Sequence, residues 1–391
     1  MRQHFQMKMK TKSRLALVVL IVFVTVSCLP PIVLSADYVF SYELLDHLGG
    51  SKHYSLNVAV SESLLAYYVD KSHTLISTGD FARFATPYPL KPIADSLRGI
   101  YSDDEDFANG ALMIVHQIPY EETRPPKYPV ETIVANKGDC DLFSYVAASI
   151  MKAGGLDVVL FYFESEEHMN IGVSLSHEPH YARTAIDYVS HDGTRYYMAE
   201  CTGGNWQEGW RVGERPDDLK NATVQVVTLE NSEQSAPGQV SASYKALAVS
   251  TISLDISSAF LIQGSSVTLS GQLSPPLQNK TITIYIKANG LPWSELGIAT
   301  TDSTGRFAYV WLADVPGICN LRASWSGNED YAAADSSTRT VTVLPWFFIA
   351  LLSMTAILVT VGTVVFLISR RVGSMVSEPQ PPDIPSELKK L

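Results

Sequence analysis

The sequence predicts an α+β fold in three parts: a core of one helix followed by strands, behind a helical lead-in; then an all-β sandwich; then one membrane-spanning helix. Three observations carry this. Leu142, Phe143, Val146, Ile150 and Met151 recur at helical spacing, and strand-like runs follow at 157–163, 168–175 and 195–202. Beyond residue 250 the pattern changes to short alternating strands between Gly, Pro, Asn and Asp turns, as at 266–271, 281–286 and 305–311. Regular spacing of that kind is the mark of an antiparallel sandwich. Residues 346–369 contain no charged side chain and are long enough to cross a bilayer.

Taken in order, residues 1–36 read as a signal peptide or an uncleaved signal anchor. Five Lys/Arg among the first 14 residues precede an apolar run at 15–35, and Leu34-Ser35-Ala36 offers a cleavage tripeptide. Residues 37–229 form the α+β domain, whose lead-in at 37–135 is expected to be mostly helical. Ser61 caps a helix at 62–69, and the acidic run 103–106 caps a second at 105–117. Ser, Asn, Gln, Ala, Pro and Gly then dominate, so 230–249 reads as a linker. The sandwich spans 250–344 and is expected to act as a spacer. The membrane helix, 346–369, opens on Trp346, Phe347 and Phe348 and stops at Arg370-Arg371; residues 370–391 make a short tail. Basic flanks at both outer ends place both ends in the cytoplasm before processing, and everything between them outside. The expectation is a single-pass or two-pass cell-membrane protein with its α+β domain extracellular.

The chemistry concentrates at Asn136-Lys137-Gly138-Asp139-Cys140-Asp141. A turn glycine, a capping aspartate and then a cysteine put the sulfur at the first helical position. There it meets unpaired backbone N–H groups and the positive end of the helix dipole, a setting that favours the thiolate. Gly154-Gly155 closes the helix. The strand beginning at His168 supplies a base, and the strand 195–202 ends on Glu200, an acid able to orient that base. Cysteine on a helix, then histidine and acid on successive strands, is the order of a thiol triad.

These residues also carry a resemblance. Gly-Asp-Cys-Asp at 138–141, His-Met-Asn-Ile-Gly-Val at 168–173 and Tyr-Tyr-Met-Ala-Glu-Cys-Thr at 196–202 resemble the catalytic core of the transglutaminase-like superfamily, a papain-like thiol-enzyme core. The segment 108–120, ending Ile118-Pro119-Tyr120, resembles the helix and turn that precede the nucleophile, and 128–132 resembles the lead-in to it. The likeness covers residues 90–215, under a third of the chain. It implies Cys140 as nucleophile, His168 as proton shuttle and Glu200 as orienting acid. Two features depart from the pattern. Many relatives carry Asp where Glu200 stands, and an insertion at 177–194 brings His177, His180 and His191 as alternative bases. The sandwich is similar to prokaryotic Ig-like repeats through Thr301–Phe307 and Trp325–Tyr331.

Charge and cysteine usage bound the function. The net charge is −11, from 29 basic and 40 acidic residues. The first 14 residues hold five basic and no acidic groups and residues 370–391 hold four and three, so the part between carries −17. An acidic exterior without a basic stripe excludes nucleic acid as a partner. Of four cysteines, Cys28 falls in the N-terminal apolar segment; Cys140, Cys201 and Cys319 are an odd set, which argues against a disulfide framework. Cys201 and Cys319 are expected to be packed thiols. The acidic run 103–106 lacks EF-hand spacing, and the reading requires no metal or cofactor.

The function expected is an extracellular thiol enzyme acting on amide or peptide bonds of a peptide or protein, with hydrolysis favoured over transamidation. The Cys140 backbone N–H, with Gln117 or Tyr120, would hold the oxyanion. The competing expectation is a non-catalytic surface scaffold that binds peptides or glycans.

Overall fold

The structure, a computed structural model, describes residues 38–373; the expectations for residues 1–36 and for the tail beyond 373 lie outside the described residues. The chain enters as a hairpin, β1 (Tyr38–Leu45) and β2 (His53–Val60), paired antiparallel from Tyr38↔Val60 to Leu45↔His53. This corrects the helical lead-in. In β1 the period is two, with Tyr42 and Leu44 buried while Ser41 and Glu43 are exposed. Aromatic residues and valine suit that half-buried pleated surface.

Helices follow. α1 (Glu62–Val69) starts where Ser61 Oγ accepts the Leu64 N–H at 3.2 Å. α2 (Pro87–Arg98) has proline in its first turn, where a missing N–H costs nothing. α3 (Asp104–Val115) is capped by Asp103, which accepts the N–H groups of Glu105 and Asp106. α4 (Pro129–Ala135) ends at left-handed Asn136. α5 (Cys140–Ala153) ends at Gly154 and left-handed Gly155. Its last carbonyls are closed by Gly155 N–H to Lys152 (3.1 Å) and Leu156 N–H to Met151 (3.1 Å), the Schellman pattern read from the glycine pair.

The central sheet comes next: β3 (Val158–Phe163), β4 (His168–Val173), β5 (Tyr188–His191), β6 (Thr194–Ala199) and β7 (Gln225–Thr228). Its spatial order is β5-β6-β4-β3-β7, antiparallel throughout. β5 and β6 are joined by Asp192-Gly193, both at positive φ (47° and 81°), a two-residue turn between paired His191 and Thr194. One face of the sheet packs on α5, whose buried face runs from Leu142 to Met151.

The segment 230–249 is built into the molecule more firmly than its composition suggests. Ser241–Ser243 forms β8, which pairs with β2. Glu233 takes Lys71 Nζ (2.6 Å) and the Tyr68 hydroxyl (3.0 Å), and Val240 N–H binds Pro89 O.

Beyond it, two sheets face each other. One holds β9 (Thr251–Ile252), β10 (Asp255–Ile256), β12 (Ser266–Ser274) and β15 (Arg306–Leu312). The other holds β11 (Phe260–Ile262), β13 (Thr281–Ala288), β14 (Ser294–Thr300), β16 (Gly317–Trp325), β17 (Ala334–Asp335) and β18 (Arg339–Leu344). Leu269, Ile284, Trp311, Leu321 and Val341 fill the space between them. The sandwich also touches α1 and its flanks. Asp70 takes Lys287 Nζ (2.7 Å) and Trp293 N–H (3.0 Å), Arg322 reaches Glu62 (3.1 Å), and buried Asp335 accepts Ser63 N–H (2.8 Å).

α6 (Trp346–Gly373) closes the described chain. Its stretch Trp346–Ser369 is long and apolar enough to cross a membrane. The helix continues past Arg370-Arg371, where the sequence placed its end. The molecule is therefore mixed α+β with one apolar C-terminal helix.

Candidate active site

The position of Cys140 follows from the two turns before it. Asn136 reverses the chain, and Gly138 passes so close to Leu142 and Phe143 that an added Cβ would lie 3.1 Å from both. Asp139 then occupies the cap position of α5 but does not cap it. Its Oδ2 accepts the Thr123 N–H at 2.8 Å, which corrects the expected role; within the first turn, Leu142 N–H is taken by Asp141 Oδ1 at 2.9 Å. Cys140 is the first helical residue and is partly buried, its Sγ 3.9 Å from the Glu167 carbonyl oxygen. Ser144, one turn on, lies 2.7 Å from Cys140 O and 3.1 Å from Met169 O, tying the start of α5 to β4. Burial pushes the Asp141 carboxyl up to about 8, and a hydrogen bond with Asp139 adds to it.

His168 opens β4, and Glu200 directly follows β6, its neighbour in the sheet. The two meet at 2.9 Å through His168 Nε2 and Glu200 Oε2. Burial alone would lower the imidazole pKa. Hydrogen bonds with Cys140 and Glu200 outweigh it and raise His168 from 6.5 to about 10. With Nε2 on the acid, Nδ1 is the ring nitrogen left for the sulfur. Glu200 is fully buried, which opposes ionisation, yet His168 and Thr202 hold its carboxyl below the usual range. Oε1 accepts Thr202 N–H (2.8 Å) and Thr202 Oγ1–H (2.6 Å); Oε2 accepts Asn170 Nδ2–H (3.1 Å) besides the imidazole. A carboxylate so supplied with donors stays charged when buried. A charged imidazole braced by a carboxylate can serve as a proton shuttle to a neighbouring thiol.

Asn170, Thr202 and His116 were not singled out in the sequence. Asn170 stands two residues beyond His168, so strand alternation puts both on one face, and that was the available signal. His116 caps α3; burial lowers its pKa, and its neutral ring donates Nε2–H to the Glu200 carbonyl at 3.1 Å. No sequence pattern links positions 116 and 200.

Other candidates lie elsewhere. Gln117 is corrected: its amide is spent on β1, taking Glu43 N–H (2.8 Å) and donating to Glu43 O (2.9 Å). Tyr120 lies near the nucleophile. Its backbone bridges to Gly138, its ring stands 6.2 Å from Phe143, and burial and the charge of Cys140 raise its hydroxyl. His177 pairs with Asp103 (2.9 Å), and His191 sits by Asp192 (3.6 Å) at the far end of the β5–β6 hairpin. Trp206 packs edge-on against His53. Cys201 and Cys319 are buried free thiols, and burial pushes both up. A cleft of about 690 Å³ between α2, β8 and the turn at 326–329 contains no triad member.

Comparison with known proteins finds no matching family model. It finds no matching curated protein either. Among solved structures, a chitin-binding domain from Burkholderia pseudomallei is 13% identical, covering 22% of this chain and 55% of its own, with a TM-score of 0.18. The PKD domain of an M14-like peptidase from a Thermoplasmatales archaeon is 16% identical, covering 25% and 99%, with a TM-score of 0.19. A CARDB domain from Pyrococcus furiosus, in complex with di-metal ions, is 11% identical, covering 25% and 93%, with a TM-score of 0.17.

Proposed function

We propose that this chain is a membrane-anchored, transglutaminase-like thiol enzyme that acts outside the cell on amide or peptide bonds of a peptide or protein. The observation that carries the proposal is His168 bound to Glu200 at 2.9 Å, with Cys140 Sγ 3.9 Å from the carbonyl of the preceding residue, Glu167; Cys140 and Glu200 together raise His168 to about 10. At neutral pH that imidazole is protonated, the companion a thiolate needs.

In the proposed reaction the Cys140 thiolate attacks the carbonyl carbon, and the C=O electron pair moves onto oxygen. The Cys140 N–H, at the uncapped start of α5, lies where it can donate to that oxyanion; Tyr120 remains the side-chain candidate. His168 gives its proton to the departing amine as the C–N bond breaks, leaving a thioester. Neutral His168 then takes a proton from water, the hydroxyl adds to the thioester, and collapse returns the thiolate and releases the acid. An amine in place of water would give transamidation by the same steps; hydrolysis is favoured because it needs no second binding site. Glu200 holds the ring in the tautomer and orientation both steps require.

The apolar α6 supports anchoring in a bilayer, and the basic residues beyond it support a cytoplasmic tail. The test is labelling of the detergent-solubilised full-length protein with a thiol-directed acyl probe. Labelling that requires both Cys140 and His168 supports the reading; labelling unchanged in Cys140→Ala rejects it.

A further inference from the structure

We infer that the N-terminus of α3 and the excursion between β4 and β5 form a binding site for a zinc-class divalent cation, with Glu105, His177 and His180 as ligands and Asp103, paired with His177, beside them. One ligand atom from each of Glu105, His177 and His180 falls within 4.8 Å of the others. His180 Nδ1 lies 3.4 Å from Glu105 Oε2. That separation suits two vertices of a tetrahedron around a metal held at about 2.0–2.1 Å. The two imidazoles lie face to face, with ring centroids 4.6 Å apart and planes at 29°.

Both carboxylates are oriented by backbone groups, as ligands are when a site is built in advance. Glu105 is fully buried. Its Oε1 accepts the N–H groups of His180 (2.9 Å) and Tyr181 (2.8 Å), and Oε2 shares the His180 N–H (2.8 Å), leaving Oε2 a free lone pair beside the imidazole. Asp103 spends Oδ1 on capping α3 and turns Oδ2 to His177.

His177 supplies the sharpest argument. Its Nδ1 is 3.0 Å from the Glu178 carbonyl, which can only accept, so Nδ1 carries the proton. Nε2 is turned to the Asp103 carboxylate 2.9 Å away. The tautomer with Nδ1–H on a carbonyl and Nε2 free is the usual one of a metal-bound histidine. Two imidazoles and one carboxylate suit zinc rather than calcium, which takes six to eight oxygens. His177 is half-buried and His180 exposed, so a cation can reach the site from solvent. The bound ion would clamp the excursion at 174–187 onto α3.

The test uses tag-free full-length protein in detergent carrying Cys140→Ala, because the triad thiolate and imidazole would themselves bind zinc. Calorimetric titration with zinc chloride is expected to give about one ion per chain, and adding His177→Ala with His180→Ala to weaken binding by at least about 100-fold. Tryptic cleavage at Arg183, within the excursion, should slow with zinc in the parent and not in the histidine variant. These two side chains are not buried, so the variant keeps its fold. Absence of zinc binding in the parent, or equal binding in parent and variant, overturns the site. Neither outcome bears on the thiol chemistry, since Cys140 is absent from both proteins.

Discussion

Cys140, His168 and Glu200 come from a helix start, a strand start and a strand end, and each neighbour changes what the next can do. Cys140→Ala should abolish acyl-probe labelling, and His168→Ala should lower turnover by about 10²–10⁴, the usual worth of a positioned acid–base group. Glu200→Gln should slow turnover while sparing most thiol alkylation, because His168 still faces the sulfur. Proton linkage gives a separate test. His168 binds its proton more tightly folded than unfolded, rising from 6.5 to about 10 despite the opposing effect of burial. Its stabilisation is therefore complete below about pH 6.5 and lost as pH rises through 10. Glu200, lowered from 4.5 against its burial, stabilises above that value and stops doing so as pH falls through its folded pKa. The melting-temperature gap between wild type and His168→Gln should be larger at pH 6 than at pH 10; a gap independent of pH would count against the linkage. The placement of Cys140, His168 and Glu200 was legible in sequence because helix start, strand start and strand end each carry a local signal. Thr202 and His116 act through hydrogen bonds on Glu200, and Gln117 was misread because its partner, Glu43, lies 74 positions away.

At the scale of elements, β4 must lie close to both neighbours to present His168. Gly172 makes this possible: a Cβ there would lie 2.3 Å from the Phe161 ring and 2.8 Å from Tyr196 Cβ. Gly172→Ala should cost about 1–3 kcal/mol through overpacking, read as a lower melting temperature, and reduce His168-dependent labelling with it. The helices α1, α3 and α5 were legible from caps and apolar spacing. The β1–β2 hairpin was not, because its strands are anchored by β8, which comes from a stretch of linker composition nearly 200 residues later. Small polar residues such as Ser241 and Ser243 say nothing of strand pairing until the partner edge is in place. The same contacts change what truncation should do. A chain ending at 235 loses β8 and should melt lower than one ending at Val249. Asp70→Ala, which removes the partly buried pair with Lys287, should loosen the sandwich at a cost on the order of 1 kcal/mol.

For the whole molecule, the account joins an acidic α+β domain and a sandwich to one apolar helix at the chain's end. Protease added to intact cells should remove the folded domains and leave a small C-terminal membrane fragment; protection until lysis would reverse the orientation. The central claim is a thiolate sustained by His168, and the measurement closest to it is the rate of Cys140 alkylation against pH in the full-length protein. The account predicts that across neutral pH wild type alkylates at least about 10-fold faster than His168→Ala, and that His177→Ala and His191→Ala keep the wild-type rate. Equal rates in wild type and His168→Ala, or control of the rate by His177 or His191, would contradict it.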